Sequence, residues 1–270
     1  MEKTLEMIED ANIAIATFYR SGVLALRQLL NIGVDRDRLR VLTYDRERNE
    51  VVLDFLESEG IKYTTDLIDS PETAAWLDAF DPDVLFSLYY RDKIPAEILD
   101  QCTQGGVNLH PSLLPKYGGV LSVPWAMVEG ETETGYTYHY MTDEMDAGPV
   151  VLQREVAISK NDTAYSLYHR IIHAGIQDFL EVLERVFDGY AGRSQRGEGS
   201  YHGRGDLPND GVIDSSWDDE RIERFIRAMH YPPFPPAIAR FGDREYEITS
   251  MTEYRTIREM HAVSDPSTPE

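Results

Sequence analysis

The segment Val107-Asn108-Leu109-His110 carries an amide and an imidazole two residues apart, directly before Pro111. Its apolar residues predict a strand, which ends at Pro111 because proline cannot donate to a sheet ladder. Side chains alternate across a strand, so Asn108 and His110 point the same way. An amide can hold a developing oxyanion while an imidazole donates or shuttles a proton, and this is the chemistry of acyl transfer. The residues alone leave a purely structural pair open as well.

An acidic loop at 142–148 joins two later predicted strands. Open α/β sheets place their ligands at the carboxyl ends of their strands, and this loop can reach the edge at which His110 stands. Asp146 is therefore the candidate partner of His110.

Short apolar runs alternate with amphipathic segments along the first 190 residues. This alternation implies right-handed crossovers and a mostly parallel sheet. The fold class expected is α/β, a Rossmann-like sheet flanked by helices, with a small C-terminal α+β accessory segment. The predicted strands lie at 11–19, 40–44, 62–64, 83–90, 106–110, 135–141 and 149–158. The predicted helices lie at 21–30, 51–59, 95–102, 123–129 and 163–187.

Composition changes after residue 190. The stretch 192–205 holds five glycines and almost no apolar residues, which is typical of a linker. A helix at 219–229, a proline-aromatic run at 231–236 and a hairpin at 237–249 follow. We therefore expect a catalytic domain at 1–190, a linker at 191–205, an accessory or dimerisation segment at 206–263 and a disordered tail at 264–270.

Charge excludes several classes of function. The 48 acidic and 26 basic residues leave a net charge of −22, which argues against nucleic-acid binding and against an anionic membrane surface. No stretch of about 18 apolar residues predicts a membrane span, and the first residues lack the pattern of a signal peptide. Cys102 is the single cysteine, so a reducing cytoplasm is expected. The bias of 21 Arg to 5 Lys indicates either salt adaptation or genome composition.

Two motifs carry a resemblance to a known family. The sequence Asn-Leu-His-Pro-Ser-Leu-Leu-Pro at 108–115, followed by Tyr117 and Gly119, precedes Asp-Glu-Met-Asp-Ala-Gly at 143–148 by about thirty residues. Together they resemble the folate-dependent formyltransferase family, with the match running from about residue 80 to 175. The resemblance implies transfer of the formyl group of N10-formyltetrahydrofolate to a primary amine, without a metal. Asn108 and a protonated His110 would then stabilise the oxyanion, and Asp146 would orient His110.

The resemblance also implies two sets of binding residues. Those expected to contact folate are Arg91, Lys93, Ile94, Met141, Asp143 and Glu144. Those expected to contact the acceptor are Tyr19, Arg20, Ser112, Lys116, Tyr117, Gly119 and Trp125. Several have a second interpretation: Trp125 as a core residue, Arg20 as a solvated cation, and Tyr231 with Phe234 as a dimer contact in place of a base-stacking surface. His139 is interpreted as a structural histidine.

The acceptor is inferred by comparing branches of the family. The acidic charge and short C-terminal region disfavour methionyl-tRNA, and the residues at 18–22 make a poor phosphate loop, which disfavours glycinamide ribonucleotide. The segment 214–237 is similar to the accessory segment of nucleotide-sugar N-formyltransferases, although two serines precede Trp217 where relatives have an Asp-Trp pair. We expect a cytoplasmic homodimer that formylates a dTDP-, UDP- or GDP-linked amino deoxy sugar for surface polysaccharide such as lipopolysaccharide. The alternatives are the other two transferases, a formyltetrahydrofolate hydrolase and a catalytically silent folate-binding module.

Overall fold

A twisted sheet of seven strands organises the chain, whose computed structural model describes residues 2–45 and 49–262. The strand order is β3-β2-β1-β4-β5-β7-β8, with the first five strands parallel and β7 and β8 added in antiparallel fashion. The expected Rossmann-like α/β class is confirmed. These strands are β1 (Ile13–Thr17), β2 (Leu39–Leu42), β3 (Lys62–Thr64), β4 (Val84–Leu88), β5 (Gly106–His110), β7 (Glu133–Tyr140) and β8 (Val150–Ala157).

Helices cover both faces of this sheet. They are α1 (Glu2–Glu9), α2 (Arg20–Asn31), α3 (Glu50–Glu59), α4 (Pro71–Asp78), α5 (Ala96–Leu99), α6 (Ser122–Val128), α7 (Ala164–Gln177) and α8 (Phe179–Phe187). Alternate residues of β1 face opposite layers: Ile13 and Ile15 pack with α2, α7 and α8, whereas Ala14 and Ala16 pack with α4 and α5. None of the helices within 2–45 and 49–262 combines the length and the apolar composition that a bilayer span requires.

The predicted long helix at 163–187 is wrong in one respect, because it is two helices. The break lies at Asp178, whose backbone (φ −91°, ψ 6°) leaves the helical region and begins α8. The carboxylate of Asp178 accepts hydrogen bonds from the Tyr136 hydroxyl at 2.5 Å and the Arg154 Nε at 3.0 Å. Contacts with the neighbouring strands β7 and β8 therefore position this residue. The apolar periodicity of the sequence continues across it, so the break could not be predicted.

A small C-terminal unit follows the sheet. It consists of α9 (Asp219–Ala228), the hairpin β10 (Ala237–Phe241) and β11 (Arg244–Ile248), and α10 (Met251–Ala262). These elements enclose a core of their own that includes Ile222, Phe225 and Tyr254. The tail expected at 264–270 lies outside the described residues.

The segment expected to be a linker contacts the sheet domain at several points. Its residues Tyr201–His202 form β9, which pairs in parallel with β6 (Gly118–Gly119). Arg193 and Val150 exchange backbone hydrogen bonds at 2.7 and 2.9 Å. The residues between 193 and 202 therefore lie along the loops that follow β5 and β7.

Candidate active site

Strand pairing brings the first two polar side chains together. β5 and β7 are antiparallel with Asn108 opposite His139, and the amide Nδ2 of Asn108 lies 3.2 Å from Nε2 of His139. His110 stands two residues further along β5 on the same face. Asn108 and His110 thus lie on the same face of β5, as the alternation of side chains along a strand predicts.

Asp146 completes the cluster from the acidic loop. Its Oδ2 lies 3.5 Å from Nδ1 of His110, and its Oδ1 lies 3.4 Å from Nε2 of His139. The backbone N–H of Gly119 donates to Oδ2 at 2.7 Å. His110, His139 and Asp146 are only 4%, 2% and 9% exposed. One carboxylate is therefore held between two imidazoles in a site almost closed to water.

The electrostatics of the cluster favour an ionised carboxylate. Burial opposes ionisation of Asp146, but the His110 and His139 rings and the Gly119 N–H outweigh it and lower the pKa of Asp146 to about 2. Burial lowers the pKa of His110, against the opposing effect of Asp146. Burial thus disfavours the protonated form of His110, the form that the resemblance implies.

The tautomer of His110 follows from its second contact. Nε2 lies 2.8 Å from the carbonyl oxygen of Tyr117, and a carbonyl only accepts, so the proton of the neutral ring is on Nε2. The unprotonated Nδ1 then faces the ionised Asp146. A proton taken up at Nδ1 would form an imidazolium directly opposite a carboxylate, an arrangement that stabilises a transient positive charge.

His139 is the residue of this cluster that sequence reasoning assigned to structure alone. Its Nδ1 donates to the carbonyl oxygen of Tyr140 at 2.9 Å, which leaves Nε2 toward Asn108 and Asp146. The signal that could have found it is the pairing of β5 with β7, because Asn108 and His139 are direct partners in that ladder.

The residues expected to contact folate lie on two loops that the structure brings together. The Nζ of Lys93 donates to the carbonyl oxygen of Asp143 at 2.9 Å, joining the loop after β4 to the acidic loop. Ile94 is buried, and Met141 packs beside it in the same apolar cluster. Glu144 accepts from the Thr142 hydroxyl through its backbone carbonyl, and Arg91 is exposed.

Most residues expected to contact the acceptor brace the loop after β5. The Ser112 hydroxyl donates to the Lys116 carbonyl at 2.7 Å. The Nζ of Lys116 and the hydroxyl of Tyr117 both donate to Glu131 at 2.9 Å. Gly119 has φ +84°, and a Cβ there would lie 2.1 Å from the His202 carbonyl oxygen, so this position requires glycine.

Trp125 is neither a core residue nor open to the cluster. Its ring is half-buried and stacks on His202, with centroids 4.0 Å apart and planes at 11°. Its Nε1 donates to the carbonyl oxygen of Asp206 at 3.2 Å. The contacts of Trp125 are thus with the segment after residue 200.

A separate cleft of about 820 Å³ opens where β1 and β4 end. This is the point at which the strand order reverses, and open α/β sheets bind ligands there. Tyr19 and Tyr89 line it in left-handed backbone conformations, with φ +72° and +63°, a strain that bulky residues carry mainly at functional sites. Its further lining includes Arg20, Arg91, Tyr168, His169, Tyr231 and Phe234.

Comparisons with known proteins identify the family of this chain. The sequence profile of the family described as Formyl transferase matches residues 29–183. The GDP-perosamine N-formyltransferases of Brucella melitensis and Brucella abortus are each 38% identical over 249 residues, which cover 92% of this chain and 96% of theirs. A Helicobacter canadensis N-formyltransferase, solved with folinic acid and dTDP-3-aminofucose, superposes with a TM-score of 0.72 at 23% identity, covering 88% of this chain and 86% of that one. A sugar N-formyltransferase from Shewanella sp FDAARGOS_354 superposes with a TM-score of 0.71 at 20% identity, over 87% and 95% of the two chains. The match to more than half of the chain, together with the Brucella relatives, shows that this protein is a formyltransferase of the Formyl transferase family.

Proposed function

We propose that this protein transfers the formyl group of N10-formyltetrahydrofolate to the primary amine of a GDP-linked amino sugar. The buried cluster of Asn108, His110 and Asp146 is the observation that carries the transfer reaction. The choice of sugar acceptor is supported by the 38% identity to GDP-perosamine N-formyltransferases along nearly their whole length. We include the folate contacts implied above, on the loops that Lys93 and Asp143 join, in this proposal, except for Arg91, which we assign to the acceptor cleft that it lines.

The reaction needs an oxyanion site and a path for one proton. The neutral amine attacks the formyl carbon, and the carbonyl oxygen becomes an oxyanion that the amide N–H of Asn108 would hold and that the positive charge of His110, once Nδ1 has taken up a proton, would stabilise. As the bond from the formyl carbon to N10 breaks, one proton leaves the attacking nitrogen and one enters N10. Asp146 and the Nδ1 of His110 form the basic pair that would carry this proton.

The cleft at the switch point is where we place the nucleotide. The ladder of β4 and β5 pairs Ser87 with Asn108, so the carboxyl end of β5 lies beside that of β4, after which Tyr89 lines the cleft. β1 and β5 are two strands apart, a separation of about 10 Å. A base stacked on the aromatic lining would thus leave its diphosphate and sugar to extend toward the cluster.

Two arginines in this cleft support an anionic ligand. Arg20 and Arg91 are both exposed, and neither has a carboxylate at ion-pair distance in the described part of the chain. Arg20 is also the first residue of α2. The partial positive charge at the N-terminal end of that helix would further attract an anion. Guanidinium groups bind phosphate oxygens in bidentate fashion, which suits a diphosphate.

We further propose that the protein acts in the cytoplasm as a homodimer through 206–263, in the synthesis of a surface polysaccharide such as lipopolysaccharide. The domain boundaries at 190 and 206 belong to the same proposal. The relatives named for GDP-perosamine and the neighbour solved with dTDP-3-aminofucose support the link to sugar nucleotides.

The test is release of tetrahydrofolate from N10-formyltetrahydrofolate, followed optically with each of several amines. The panel holds GDP-perosamine, dTDP-3-aminofucose, glycinamide ribonucleotide and methionyl-tRNA, with Asp146→Asn as the inactive control. Release that requires the GDP sugar supports the proposal. Release without any amine would instead identify a hydrolase, and folate binding without release would identify a binding module. Release with the ribonucleotide or the tRNA alone would move the protein to another branch of the family.

A further inference from the structure

The segment at 193–202 contacts both Asp146 and Gly119, the two residues joined by the hydrogen bond from the Gly119 N–H to the Asp146 carboxylate. We name residues 193–202 the strap. At its start, the Nε2 of Gln195 donates to the carbonyl oxygens of Asp146 at 2.6 Å and Gly148 at 2.9 Å. At its end, His202 pairs with Gly119 in the ladder of β6 and β9, and its carbonyl oxygen accepts from the N–H of Val120.

The strap also reaches the second partner of His110. The Ser200 hydroxyl accepts from the N–H of Tyr117 at 2.9 Å, and the Ser200 carbonyl accepts from Gly118 at 2.8 Å. The carbonyl of Tyr117 in turn accepts from Nε2 of His110. Both ring nitrogens of His110 thus face groups that the strap holds in place.

The backbone of Asp146 needs such support. Its φ is +56°, a left-handed conformation that costs a non-glycine residue about 1–2 kcal/mol. The two hydrogen bonds from Gln195 fix the Asp146–Ala147 and Gly148–Pro149 peptide groups, and the first of these helps to set the direction in which the Asp146 side chain leaves the chain. A catalytic group displaced by about 1 Å can lose roughly 10²-fold in rate.

We propose that Gln195 is a positioning residue that, through the strap, holds the Asp146 carboxylate between Gly119 and His110. Only the kinetic test of this inference rests on the proposed transfer reaction. The second measurement, amide exchange at Gly119, needs no substrate, so failure of one proposal is distinguishable from failure of the other.

The variant is Gln195→Leu, which keeps the approximate size of the side chain and removes both donors. The matched control is Gln177→Leu on the exposed face of α7, where the amide hydrogen-bonds to His173, outside the cluster. We expect kcat with GDP-perosamine to fall roughly 10- to 100-fold in Gln195→Leu, with the KM for each substrate within about threefold of wild type. Gln177→Leu should retain wild-type values.

Single-residue amide exchange, followed by NMR, separates positioning from general loosening. The Gly119 N–H is bound to Asp146, whereas the Val120 N–H is bound to the strap itself. Exchange should therefore accelerate at Gly119 and stay slow at Val120 in Gln195→Leu. If this variant does not fold, Ser200→Ala serves as the second variant, because it frees the Tyr117 N–H and should also lower kcat with little change in KM. An unchanged kcat, a fall in kcat without faster Gly119 exchange, or equal acceleration at Gly119 and Val120 would each overturn the proposal.

Discussion

Neutralising Asp146 is expected to cost both stability and activity. The ordinary pKa of an aspartate is about 3.9, and its value here is about 2. Because the folded state lowers this pKa, the ionised group stabilises the fold above about pH 4, and this contribution is lost as pH falls toward 2. At about 1.4 kcal/mol per pKa unit, a shift of this size corresponds to roughly 2–3 kcal/mol. Asp146→Asn retains an acceptor for the Gly119 N–H, so we expect a loss of about 2 kcal/mol in the free energy of unfolding.

The same substitution changes the proton chemistry of His110. An amide can donate to the unprotonated Nδ1 that now faces a carboxylate, which would block proton uptake there and remove the charge opposite an imidazolium. Losses on the order of 10³-fold or more in kcat follow when the carboxylate that orients a catalytic histidine is neutralised. Asp178→Asn is the matched control, because that carboxylate binds Tyr136 and Arg154 away from the cluster.

Urea unfolding at pH 7.5 measures the first effect, and steady-state formyl transfer measures the second. A free energy of unfolding within about 0.5 kcal/mol of wild type, together with a kcat within tenfold, would refute the assigned electrostatics of Asp146. A loss of activity equal to that of Asp178→Asn would show that the effect is not specific to the cluster.

The remaining predictions concern His110, the cleft and the surface charge. His110→Ala should reduce kcat by orders of magnitude while circular dichroism shows an intact fold; near-normal turnover would remove His110 from the mechanism. Arg20→Ala and Arg91→Ala should each raise the KM for the nucleotide sugar about tenfold, since a hydrogen bond to a charged group contributes about 1.5–3 kcal/mol, and should leave kcat within about threefold; an unchanged KM would place the diphosphate elsewhere. If the acidic surface is salt adaptation, molar KCl should raise the melting temperature by screening repulsion, whereas a flat or falling curve would favour genome composition.

The parallel half of the sheet was predictable because each strand is a short apolar run between helical segments. Strands β1, β2, β3, β4 and β5 each begin and end within two residues of their predicted bounds. The helices α1, α4 and α10 were not predicted. A start signal was present for α4, since the Ser70 hydroxyl caps the helix at the N–H of Thr73 and Pro71 follows at the first position. The sequences of α1 and α10 are charged and only weakly apolar, so contacts with the rest of the chain determine whether these segments are helical.

The candidate site divides in the same way. Asn108 and His110 are neighbours on one strand, so local alternation places them together, and the motif at 143–148 marks Asp146. His139 joins them only through the register of β5 with β7, and register depends on contacts between distant parts of the chain. The cleft likewise combines the ends of β1 and β4 with α7 and the proline-aromatic run, four segments whose proximity no local pattern encodes.

The strap shows how one composition can have two causes. The glycines in 192–205 predict a linker, in which glycine would make the backbone flexible. In the structure a Cβ at Gly199 would lie 2.9 Å from the carbonyl oxygen of Pro115, and a Cβ at Gly119 on the partner strand would lie 2.1 Å from that of His202. Small residues on both sides thus allow two backbones to approach closely enough to hydrogen-bond. A glycine-rich segment is therefore better judged by where its backbone N–H and C=O groups find partners, and here those partners adjoin Asp146 and His110.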